Sequence, residues 1–145
     1  MPFRKITDAV FVSPQIETAA VSEAQAQGFT LIINNRPDGE ADDQTPGSAI
    51  EAAAREAGIA YLAIPVSHAG FSQPQVKAMA DALAQADGPV LAYCRTGTRS
   101  ALLWALAAAS RGEQPDRIAA DAAEAGYDIA PVRAIVDMLA AQASD

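Results

Sequence analysis

The sequence is poor in the residues that build covalent or metal-centred frameworks. Its 145 residues include one cysteine, Cys94, and one histidine, His68. A single cysteine excludes an intramolecular disulfide and a multi-cysteine metal site, and a single histidine excludes a histidine cluster. No group of carboxylates stands in for them, so neither a metal nor an organic cofactor is expected. Long apolar runs are missing too: none approaches the ~20 residues of a membrane-spanning helix. The opening Met1-Pro2-Phe3-Arg4-Lys5 leads into polar residues instead of the hydrophobic stretch of a secretory leader, which predicts a cytoplasmic protein. Positive charge is scarce. A formal net charge of −8 argues against nucleic-acid and anionic-membrane partners.

What is present fits one domain over residues 1–145, large enough for one core. Half of the chain is hydrophobic and 19% is charged, too apolar for a disordered protein. Short apolar runs alternate with amphipathic stretches, which predicts an α/β domain. Strands are expected at Val10–Val12, Phe29–Asn34, Ile59–Val66 and Val90–Tyr93. Helices are expected at Glu17–Gln27, Gly47–Ala57, from Pro74 to about Ala86, Ser100–Arg111, Pro115–Ala125 and Pro131–Gln142. Gly28 and Gly58 suit helix ends, and Pro74 suits a first helical turn.

The chemistry concentrates where the strand Val90–Tyr93 runs into Cys94-Arg95-Thr96-Gly97-Thr98-Arg99. A strand, a glycine-bearing loop and a helix start turn successive backbone N–H groups inward, and with the helix dipole they hold an oxyanion. In an open parallel sheet, ligands gather at the carboxyl ends of strands, where Cys94 falls. Between two arginines at a helix N-terminus, Cys94 is expected largely as its thiolate, the competent nucleophile. A lone cysteine is often only a small buried hydrophobe, but that reading leaves the Arg-Thr-Gly-Thr-Arg run unexplained. Cys94 and Arg99 are therefore the expected catalytic pair, with Arg95, Thr96, Gly97, Thr98 and Ser100 forming the anion loop. Ser100 is read as a helix-start residue, Tyr93 and Trp104 as core or pocket wall. Arg36, Asp38 and Glu40 follow the strand ending at Asn34, so they can share the same edge of the sheet; the alternative is an ordinary solvated Arg-Pro-Asp-Gly turn.

These residues carry a family resemblance. The stretch Cys94-Arg95-Thr96-Gly97-Thr98-Arg99-Ser100 resembles the Cys-Arg-x-Gly-x-Arg loop of single-domain rhodaneses. The wider pattern includes Ile32-Ile33-Asn34-Asn35-Arg36-Pro37-Asp38-Gly39-Glu40, Tyr61–Val66 and Pro89 through Trp104. It resembles the phosphatase-like domain of the beta-lactamase hydrolase-like proteins, a group also catalogued as sulfur transferases. The resemblance spans roughly residues 3 to 140. It implies a fold like that of dual-specificity protein tyrosine phosphatases, with a mostly parallel sheet and helices on both faces. It also implies that Arg36 lines the pocket and that the Ser100 hydroxyl bonds the thiolate.

Two departures from the phosphatases bear on the reaction. Their loop places five residues between cysteine and arginine, whereas four separate Cys94 from Arg99, the rhodanese ring size. Fewer inward amides suit the single outer sulfur of a persulfide better than three phosphoryl oxygens. The phosphatases also carry an aspartic acid on the loop after the strand resembling Tyr61–Val66; Ser67-His68-Ala69-Gly70 stands there instead. His68 is the one group on that loop able to replace the missing acid, or else it is a plain surface histidine.

The expected activity is rhodanese-type sulfur transfer, with a small anionic substrate such as thiosulfate or a persulfide and a thiol acceptor. A persulfide-processing partner protein is a possible associate, because a related arrangement fuses this domain to a metallo-beta-lactamase-like one. The alternative is hydrolysis of a phosphoester through a phosphocysteine at Cys94. A third reading is a non-catalytic module that binds an anion or senses oxidants.

Overall fold

The structure, a computed structural model, describes residues 3–144. Met1 and Pro2, part of the N-terminal stretch considered above, lie outside the described residues. Four short strands run parallel: β2 (Val10–Ser13), β3 (Leu31–Asn34), β4 (Ala60–Ala63) and β5 (Val90–Tyr93). A fifth strand that the apolar pattern did not disclose, β1 (Arg4–Lys5), pairs antiparallel with β2. It has two residues, both exposed and basic, so no hydrophobic signal marks it. The sheet order is β1-β2-β5-β3-β4. The α/β class is as the sequence pattern predicts, and the mostly parallel sheet is as the family resemblance implies.

Helices cover both faces. On one side α1 (Thr18–Ala26) and α2 (Gly47–Glu56) pack over Ile32, Leu91 and Tyr93. On the other, α3 (Gln73–Gln85), α4 (Thr98–Ser110), α5 (Pro115–Glu124) and α6 (Arg133–Ala143) close over Val10, Val12, Ile33, Val90 and Ala92. Adjacent residues of one strand thus feed opposite cores, as the period-two pleat requires. The central strands β3 and β5 read as continuous apolar runs because both of their faces are covered.

Helix α4 is the axis of the larger layer. Every residue from Ser100 to Ala109 is buried. Its alanines let α3 and α6 approach, while Leu103, Trp104 and Leu106 fill the space between them. Each such fully buried side chain contributes about 1.5–3 kcal/mol. Trp104 is a core residue. The helix starts at Thr98, slightly before the expected Ser100, and α6 follows a short 3₁₀ turn at Ala130–Val132.

Strand β4 is shorter than the expected Ile59–Val66. Its residues are exposed or half-buried at the sheet edge, but the chain continues in pairing geometry. Ile64 N–H donates to the Asn34 carbonyl and Val66 N–H to the Asn35 carbonyl, each at 2.9 Å. This extension carries Val66 beyond the strand ends to the site.

Candidate active site

The loop after β5 turns around the sulfur of Cys94. The cysteine is fully buried, its N–H donating to the Ser13 carbonyl at 3.3 Å on the neighbouring strand end. Gly97 takes φ +92°, the left-handed conformation that glycine adopts without penalty. That turn brings the Gly97 N–H to 3.1 Å from Cys94 Sγ, as a donor to the sulfur. The sulfur thus accepts a backbone N–H at the N-terminus of the thirteen-residue helix α4.

Arg99 lies in the first turn of α4 and reaches across the site. Its Nη1 donates to Glu40 at 2.7 Å and to the Val66 carbonyl at 2.6 Å, and its Nη2 donates to Glu40 at 2.9 Å. Glu40 also accepts from Arg36 Nε at 2.9 Å, and Arg36 Nη1 donates to Gln15 Oε1 at 3.0 Å. One carboxylate thus holds two guanidiniums together. The Glu40 bonds raise the Arg99 pKa, and Cys94 adds to that effect; this places the cation within electrostatic reach of the sulfur. The Arg99 guanidinium, against the cost of burial and with help from Arg36, holds the Glu40 carboxyl at about 2.

The sign of the resulting pH effect is fixed. Glu40 has its pKa lowered from an ordinary 4.5 to about 2 on folding. Its contribution to stability is therefore full above about 4.5 and is lost as the pH falls toward about 2. In denaturant unfolding, the stability gap between the parent and Glu40→Gln is expected to shrink between about pH 6 and pH 3, by no more than about 1 kcal/mol because solvent screens this exposed carboxylate. A gap that stays constant over that range would contradict this pairing.

The expected site residues separate into groups. Cys94, Gly97 and Arg99 come together, and Arg36, 6% exposed, joins them through Glu40. Arg95 is exposed; its backbone carbonyl accepts from Gln15 N–H at 3.2 Å. Thr96 and Thr98 are exposed and bond to each other through their hydroxyls at 3.1 Å. Ser100 is a correction. Its hydroxyl donates to Asn35 Oδ1 at 2.7 Å, not to the sulfur, because the third residue of α4 faces back toward the end of β3. His68 is exposed on the turn after Val66 and makes no hydrogen bond to Cys94, Arg99 or Glu40. Among the described residues no group of histidine, cysteine and carboxylate side chains could hold a metal, and no helix is long and apolar enough to cross a membrane.

Three contributors to the site carry no clear signal in the sequence. Asn35 is fully buried and ties three segments together, donating from Nδ2 to the Ile64 carbonyl, accepting from Ser100, and donating from its N–H to the Tyr93 carbonyl. Glu40 lies at the sheet edge that its place after β3 predicts, and the structure adds its pairing with Arg99. Tyr127 had no signal; it comes from the connection between α5 and α6.

The sequence profile of the beta-lactamase hydrolase-like protein, phosphatase-like domain, matches residues 2–111. The chain belongs to this family. It is 34% identical over 125 residues to the beta-lactamase hydrolase-like protein of Xylella fastidiosa strain Temecula1, covering 86% of this chain and 29% of that protein. The domain therefore spans less than a third of the length of such relatives. Among solved structures, a candidate phosphatase from Neisseria meningitidis superposes with a TM-score of 0.83 at 33% identity, covering 96% of this chain and 99% of that one. PTPMT1 superposes with a TM-score of 0.74 at 15% identity, covering 98% of each chain, which establishes the shared fold. The fold is that of the protein tyrosine and dual-specificity phosphatase-like structures. These relationships support an enzyme-like, phosphatase-like scaffold; none of them speaks to sulfur transfer.

Proposed function

We propose that the domain is a thiol-based sulfurtransferase built on the phosphatase-like scaffold. The observation that carries this reading is the ring itself: four residues separate Cys94 from Arg99, and the Gly97 N–H already lies 3.1 Å from the sulfur. So close a ring matches one sulfur atom seated on Cys94 better than a phosphoryl group with three oxygens.

In the proposed cycle, the Cys94 thiolate attacks the outer sulfur of an anionic donor such as thiosulfate. The new S–S bond forms as the old one breaks, and sulfite leaves with the bonding pair. Loop amides and Arg99 hold the resulting Cys94 persulfide anion. An acceptor thiolate, or cyanide, then takes the outer sulfur and returns Cys94 as thiolate. Arg95 at the rim attracts the donor, which competes with Glu40 for Arg99. Neither sulfite nor the Cys94 thiolate requires a proton to leave, so this chemistry works without a general acid. A separate persulfide-processing protein is a suitable donor or acceptor.

Phosphoester hydrolysis is the second reading, favoured by the phosphatase-like family and its structural neighbours. It would form a phosphocysteine at Cys94, and departure of an alkoxide would need a proton. The carboxyl bonded to the ring arginine belongs to Glu40, which at about 2 is ionised at neutral pH and has no proton to give. With thiosulfate plus cyanide offered in parallel with an aryl phosphate, sulfur transfer is expected to be the faster turnover. Faster release of phosphate would decide for the hydrolase.

A further inference from the structure

Cys94 and Arg99 define the front of the ring, and Tyr127 packs against the peptide between Thr96 and Gly97 from behind. Its hydroxyl faces the Thr96 carbonyl as a long donor at 3.5 Å, while the Gly97 N–H of the same peptide donates to Cys94 Sγ at 3.1 Å. A trans peptide is planar, with its C=O and N–H pointing in opposite directions. Holding the carbonyl outward therefore aims the N–H at the sulfur. The fit leaves little play: a Cβ placed on Gly97 would lie 2.2 Å from the Tyr127 oxygen. On the preceding peptide, the Gln15 N–H holds the Arg95 carbonyl in the same manner at 3.2 Å.

Tyr127 is itself clamped. Arg4, on β1, lies over its ring with 5.6 Å between the guanidinium carbon and the centroid. Arg4 Nη1 donates to the Ala125 carbonyl at 3.2 Å, which fixes the turn before Tyr127. The tyrosine is 8% exposed, and burial raises its pKa, so the hydroxyl keeps its proton and remains a donor. The residue lies beyond the segment 2–111 matched by the family profile.

We propose that Tyr127 is a positioning residue that sets the Thr96–Gly97 peptide so that its N–H serves the Cys94 sulfur. A flipped peptide would turn a carbonyl dipole toward the thiolate and oppose the anion. The inference rests on Cys94 being the nucleophile, as proposed above, and holds whether the group carried is sulfur or phosphoryl. It also gives the two-residue strand β1 a task, since Arg4 carries the clamp.

The test uses Tyr127→Phe, which keeps the ring and removes the donor, with Arg4→Met as a second variant that loosens the clamp without altering Tyr127. The primary readout is the Gly97 amide resonance of the resting protein. In the parent, Cys94→Ala should displace this resonance strongly; on the Tyr127→Phe background the displacement should largely vanish, and on Arg4→Met it should shrink. In turnover of thiosulfate and cyanide, kcat should fall about tenfold with KM little changed. A displacement as large on both backgrounds as in the parent would overturn the inference, and so would a lower kcat with the displacement intact. Loss of the displacement on the Tyr127→Phe background, with a parent that transfers no sulfur, would sustain Tyr127 and sink the sulfurtransferase reading instead.

Discussion

Arg99→Ala is expected to lower sulfur transfer by about 10²–10³-fold, equivalent to ~2.7–4 kcal/mol, as when a preorganised transition-state donor is removed. Arg95→Ala should cost less than about tenfold. The two arginines flank the same loop in sequence but differ in space. Arg99 is half-buried, with two nitrogens engaged on Glu40 and the Val66 carbonyl. Arg95 is exposed, and among the described residues no hydrogen bond or ion pair holds its side chain. Removing Arg99 also leaves Glu40 bonded to Arg36 at 2.9 Å, so the loop after β3 keeps an anchor and the loss should appear in kcat rather than in folding. Arg99→Lys should recover little, because a point charge cannot reproduce a planar fork holding a carboxylate through two nitrogens. Steady-state kinetics on the three variants, with circular dichroism to verify folding, measures this division. Equal losses from Arg95→Ala and Arg99→Ala would contradict it.

The second large effect concerns ring size. One glycine inserted between Arg95 and Thr96 gives five residues between Cys94 and Arg99, the phosphatase spacing. Both flanking residues are exposed, so the insertion spares the start of α4 and the contact between Tyr127 and the Thr96–Gly97 peptide. A wider ring adds one inward amide and makes room for three phosphoryl oxygens. Misplacement of reacting groups by about 1 Å can cost ~10²-fold, so sulfur transfer is expected to fall by about that factor. Hydrolysis of an aryl phosphate should rise, though weakly, because no general acid accompanies the longer loop. If the variant folds and loses both activities, ring size does not choose the reaction.

The parts of the molecule that were readable from sequence share a physical cause. Strands β3 and β5 are buried on both faces, so Ile32-Ile33 and Val90-Leu91-Ala92 stand out as apolar runs. The anion loop was legible because its chemistry is local: Cys94, Gly97 and Arg99 act within six residues of chain. Strand β1 was not legible, since a two-residue strand of Arg4 and Lys5 buries nothing. The resemblance directs the Ser100 hydroxyl to the sulfur, whereas its direction depends on Asn35, 65 residues away in the chain. Glu40 illustrates the middle case. Its position after β3 indicated the correct edge of the sheet, but its bond to Arg99 spans 59 residues and follows only once β3 and β5 are known to be neighbours. Tyr127 lies furthest from any sequence signal, because nothing in Gly-Tyr-Asp marks a tyrosine that will rest on a loop 31 residues earlier.

The most direct measurement is the intact mass of the protein after exposure to thiosulfate alone, without an acceptor. Sulfur transfer through Cys94 predicts a gain of one sulfur atom per chain, removed by cyanide and absent in Cys94→Ser. An unchanged mass under thiosulfate, together with a phosphoryl group trapped on Cys94 from an aryl phosphate, would contradict it.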